Sequence, residues 1–147
     1  MHPDSPPRRK LRPLVLACFS AGMLACAAAS NAVMDTISFR YEKSVFAAVG
    51  ADRTWFNPRV SWRNKWKGGD PARGEAFVGS STVFVAFTDA WHTFKSLTIF
   101  FVMAAVIAPF TAVFSMKWPL WVLVLVGLKI LYGLVFESLF AGGLIAG

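Results

Sequence analysis

Three stretches of the chain are continuously apolar, and most polar residues are gathered between the first and the second. Residues 13–34 run for twenty-two positions without a charge, enough to cross a bilayer as one helix. No charge falls between Lys95 and Lys117, which predicts a second span over 94–116. The third run starts at Pro119 and predicts a span over 119–141, interrupted by Lys129 and Glu137. The expected fold is therefore all-α: three transmembrane helices and an extramembrane region over 35–93, in a single membrane domain over 13–147. Residues 1–12, with their prolines and Arg8, Arg9, Lys10 and Arg12, read as a disordered basic tail.

Within the first run, Ala17, Ala21, Ala25 and Ala29 recur every fourth position, beside the row Cys18, Gly22, Cys26 and Ser30. Small residues at this spacing let helices approach closely, so the alanine row is expected to pack against another helix. A cleaved signal peptide is the competing reading, because a basic segment, an apolar core and small residues near Ala27–Ala29 are all present. The packing seam favours a retained helix, since a cleaved segment needs none. Asn31, Asp35, Ser38 and Glu42 would carry the seam on as a polar stripe. In the second span, Pro109 removes a backbone donor and predicts a kink.

The polar region has its own local signals. Asn57-Pro58 is a helix start, with Asn as N-cap and Pro at the first helical position, and Gly68-Gly69 is a stop. Between them a short interfacial amphipathic helix is expected, placing Trp55, Trp62 and Trp66 beside the basic row Arg63 and Lys67. Tryptophan with lysine and arginine is the composition of a helix lying at lipid headgroup level. Gly79-Ser80-Ser81-Thr82 offers N-caps for the next helix.

Composition sharpens the class. Hydrophobic residues make up 56% of the 147, and the mean hydropathy of +0.53 exceeds that of an ordinary soluble domain. The formal net charge is +7. Beside apolar spans, such an excess reads as contact with anionic headgroups, and nucleic acid is disfavoured as a partner. The dense basic tail next to the first span places the N-terminus in the cytoplasm and the central region outside, in a multi-pass topology. Cys18 and Cys26 stand about 12 Å apart along one helix, too far for a disulfide.

Candidate chemistry gathers at one depth. Asp89 and His92 sit three residues apart, just before the second span, and share a helical face. Asp35 ends the first span. With the third span starting at the inner side, Lys129 lies roughly 17 Å in and Glu137 roughly 29 Å in. Asp35, Asp89, His92 and Glu137 are thus expected at the outer boundary, where two of these three carboxylates and the histidine could act as acid and base. Asp89 and His92 could also ligate a divalent metal. The structural reading of the same residues is a hydrogen-bonded network. Lys129, an intramembrane charge, needs a partner chain, a watered pocket or Glu137. The function expected from these observations is that of an accessory or envelope-associated membrane subunit, working by helix packing and contact with the lipid bilayer, in a homo-oligomer or a larger complex. The alternatives are a membrane-interface hydrolase or metal-binding enzyme built on the Asp/His/Glu group, and a subunit of an ion or proton pathway through Lys129 and Glu137.

Overall fold

The computed structural model describes residues 11–114 and 117–142. Of the tail expected over 1–12, residues 1–10, including His2, lie outside the described residues, and Leu11 and Arg12 belong to the first turn of a helix. Among the described residues the fold is all-helical, without a strand, and has six α-helices: α1 (Leu11–Arg40), α2 (Val45–Ala48), α3 (Arg53–Phe56), α4 (Pro58–Ser61), α5 (Ala90–Val113) and α6 (Trp118–Gly142). Short 3₁₀ turns join the smaller ones. Two helical stretches, Pro13–Lys43 and Ala90–Phe110, are long and apolar enough to cross a membrane, and Pro119–Val135 is a shorter apolar helix. Pro109 lies inside α5, which continues to Val113.

The described residues fall into two compact units. One comprises residues within 1–25 and 100–147, and the other comprises 26–99.

In the first unit, the buried apolar residues are Ala104, Ala105, Ile107 and Ala108 of α5 and Leu125 of α6. Ser20 of α1 donates its hydroxyl to the Ala105 carbonyl at 2.9 Å. In this unit the small residues that are buried are Ala104, Ala105 and Ala108 of α5, and α1 meets this stretch at the Ala105 carbonyl. The expected packing does not occur along the alanine row of α1, because Ala17, Ala21 and Ala25 are exposed. A strict repeat of four advances about 40° per step around a helix and cannot hold one face over several turns.

In the second unit, α1 buries Ala27, Ser30 and Ile37, and Tyr41 follows just beyond its end. These positions combine steps of three, four and seven, the spacing that does keep one face. Asn31, Asp35, Ser38 and Glu42 share the exposed side. The connector over 41–89 is then assembled from short pieces, four of them begun by a polar side chain. Ser44 accepts from the Ala47 N–H, Asp52 from Thr54, Asn57 from Arg59 and Asp70 from Ala72. Phe46 and Phe56 stack with ring centres 4.9 Å apart, bringing α2 onto α3.

The expected interfacial helix begins as drawn and ends early. Asn57 Oδ1 accepts the Arg59 N–H at 3.0 Å with Pro58 in the first position, but α4 stops at Ser61 and a 3₁₀ turn carries on only to Lys65. Trp66 is extended and pairs with Glu75 in an isolated antiparallel bridge. The Lys65 carbonyl accepts from the Ala76 N–H and the Ser80 hydroxyl, and Lys67 N–H donates to the Gly74 carbonyl. These long-range bonds take the backbone groups that a continuing helix would have used.

Candidate functional site

The start of α5 is the most highly organised polar point in the 26–99 unit. Asp89, 2% exposed, is its N-cap, and its Oδ1 accepts the His92 backbone N–H at 2.9 Å. The His92 ring returns to the same carboxylate, with Nδ1 2.7 Å from Oδ2 and 2.9 Å from Oδ1. The cap thus holds both the backbone N–H and the ring of its third helical residue; unlike in a capping box, the ring meets the cap's carboxylate and not its backbone N–H. Thr88 donates its hydroxyl to Asp89 Oδ2 at 3.1 Å and to the Val85 carbonyl at 2.8 Å. Thr93 donates its own to the carbonyls of Ala86 and Asp89. Burial pushes the Asp89 carboxyl upward, but the hydrogen bonds from the His92 ring and backbone, the His92 charge and the Thr88 hydroxyl outweigh it. The carboxyl therefore titrates below its ordinary range.

Asn64 fixes this point to the connector. Its side-chain amide donates to the Thr54 carbonyl at 2.7 Å and to the Thr88 carbonyl at 2.8 Å, joining segments distant in sequence. A second node sits at Glu75. Its carboxylate accepts from the Gly79 N–H, the Ser81 N–H and the Ser81 hydroxyl. Those bonds, the Ser81 hydroxyl first, hold the Glu75 carboxyl below its ordinary value. Ser80 and Ser81 therefore serve this turn and do not cap α5, which starts ten residues after Ser80 under Asp89. The Thr54 hydroxyl likewise lowers the Asp52 carboxyl at the start of α3.

Of the sequence-predicted cluster, the structure brings Asp89 and His92 together. Asp35 is exposed and accepts from the Asn31 amide at 3.1 Å, one turn away on α1. Among the described residues, no three of His, Cys, Asp and Glu gather as a metal would require. Glu137 belongs to α6, but its side chain lies outside the described residues. Cys18 and Cys26 are free and exposed. Lys129 is exposed on α6, with Nζ 5.9 Å from the centre of the Tyr132 ring. Trp62 is exposed beneath the Arg63 guanidinium, 5.5 Å from the ring centre, whereas Trp55 and Trp66 are half-buried.

Sequence reasoning missed Asn64, Glu75 and a cluster at the end of α1. The signal for the last was present: Arg40-Tyr41-Glu42-Lys43 is a charged segment shortly after the charge-free run over 13–34. Asn64 and Glu75 carried none, since their partners come from other segments. Comparisons of the chain with family models, with curated proteins and with solved structures found no match, so the functional reading rests on this geometry.

Proposed function

We propose that the chain is a three-span integral membrane protein, an accessory or envelope-associated subunit that works by helix packing and lipid contact. In this reading the N-terminus is cytoplasmic and the 26–99 unit carries the headgroup contacts. The observation that supports it most is where the apolar surface lies. Only 11% of the apolar window in α1 and 22% of that in α5 is buried. Along α6, Leu120, Leu123, Val126, Ile130, Leu131 and Leu134 are all exposed. The core helix of a soluble protein would cover these side chains. Left in water, they form apolar patches of a size that marks a membrane or a partner. The bond from Ser20 to Ala105 supports retention of α1, since a removed signal would leave that carbonyl without its donor. Lys129 supports the subunit part of the reading: a lysine among exposed leucines on a membrane helix costs at least ~2.5 kcal/mol unless something polar meets it.

The Asp89–His92 pair is accounted for by its role in starting α5, and we assign it that role. Membranes from cells expressing the full chain test the proposal. The protein should resist alkaline carbonate, and reporters fused to the two termini should lie on opposite sides. Release by carbonate, or both termini on one side, would overturn the three-span reading.

A further inference from the structure

Several polar groups that these networks do not absorb lie together at the end of α1. A cavity of about 550 Å³ opens there, lined by residues 37–43 and 57–59. Arg40 and Lys43 come from the last turn of α1 and the 3₁₀ turn after it, and Arg59 from the first turn of α4. All three cations are exposed, and among the described residues no ion pair engages any of them. Three cations stand against one carboxylate, Glu42, leaving a formal excess of two positive charges. The carbonyl end of α1 opposes an anion with roughly half a charge and does not cancel that excess. The second observation is independent of charge. Tyr41, which also lines the cavity, is 5% exposed, and its hydroxyl is buried with no hydrogen-bond partner among the described residues. Buried hydroxyls are nearly always paired, so an unpartnered one asks for an acceptor.

We propose that this cavity binds the phosphate group of an anionic lipid. Guanidinium groups match phosphate oxygens in pairs, and a phenol hydroxyl supplies one further donor. The volume is that of a site for a whole small molecule and exceeds what a bare phosphate ion fills. The site also stands at the end of a helix long and apolar enough to cross a membrane, which is headgroup level under the function proposed above, and the choice of a lipid as the source of phosphate rests on that reading.

The test uses the full chain in an uncharged detergent, titrated with dioctanoyl phosphatidylglycerol, dioctanoyl phosphatidylcholine and inorganic phosphate, with binding read by native mass spectrometry and thermal shift. Phosphatidylglycerol should bind saturably at one site, about tenfold or more tighter than either of the others. Arg40→Gln/Lys43→Gln/Arg59→Gln should weaken it at least tenfold, while Lys65→Gln/Arg73→Gln/Lys117→Gln, which removes the same charge elsewhere, should change it less than twofold. Tyr41→Phe should weaken binding about tenfold, with the melting temperature without lipid unchanged or slightly raised, because no protein bond is lost. Equal losses in both triple variants would reduce the effect to net charge and overturn the site. So would unchanged binding in the cavity triple or in Tyr41→Phe. Inorganic phosphate binding as tightly as the lipid would overturn the lipid assignment. Carbonate release with lipid binding intact would remove the three-span reading alone, and carbonate resistance without lipid binding would remove this proposal alone.

Discussion

Between residues 100 and 113, α5 buries Ala104, Ala105, Ile107 and Ala108 and leaves Val102, Val106 and Phe110 open. Between residues 41 and 89, Tyr41 is the one large apolar side chain that is buried, and burial falls instead on Ser44, Asn57, Ser61, Ser80, Thr88 and Asp89. The apolar helices satisfy their backbone internally, save the Ala105 carbonyl that Ser20 meets where Pro109 has no N–H, and otherwise need only shape from their neighbours. The connector has little regular structure, so side chains must satisfy its backbone one group at a time. The first region should therefore respond to changes of volume, and the second to loss of single polar atoms and to pH.

The largest effect is expected at Asp89. Asp89→Ala removes the cap of α5 and leaves the His92 backbone N–H and ring without their acceptor, at a cost of about 2–4 kcal/mol in thermal unfolding. Asp89→Asn keeps a good cap and should cost less. The two also differ in pH dependence. Because the folded carboxyl titrates below its unfolded value, its stabilisation is complete above the unfolded value and is lost as pH falls through the folded one. Asp52 and Glu75 are shifted in the same sense. The near-UV signal of the connector should therefore fade below about pH 4 while the far-UV helical signal persists. Asp89→Asn should show a shallower loss. Simultaneous loss of both signals would remove the distinction between the regions.

Next in size is a change of volume in the apolar region. Ala105→Leu should overpack the seam where Ser20 meets the Ala105 carbonyl, lowering stability by about 1–3 kcal/mol. Asn64→Ala deletes the two bonds to the Thr54 and Thr88 carbonyls and should cost about 1–2 kcal/mol, read as earlier melting of the near-UV signal. The smallest effect is expected at Ala21, where Leu adds apolar bulk to an exposed position and should shift stability by no more than about 0.5 kcal/mol. If Ala21→Leu were as damaging as Ala105→Leu, the seam would run along α1 after all.

The sequence by itself determined the helical class, the places of the long apolar helices, the cap at Asn57 and the pairing of Asp89 with His92. Each depends on residues within a turn or two, or on a run of composition long enough that no tertiary contact can override it. Tertiary structure decided which small residues form the seam: many alanines can face a neighbour, and Ala104, Ala105 and Ala108 do. It decided that the helix after Pro58 stops at Lys65, because Glu75, Ala76 and Ser80 come from outside the helix to take its backbone groups. It also gathered Arg40, Tyr41, Lys43 and Arg59 around one cavity, since α1 and α4 meet there only after the chain has turned through α2 and α3. Local patterns announce local bonds, whereas a bond between distant segments has no signature in either of them.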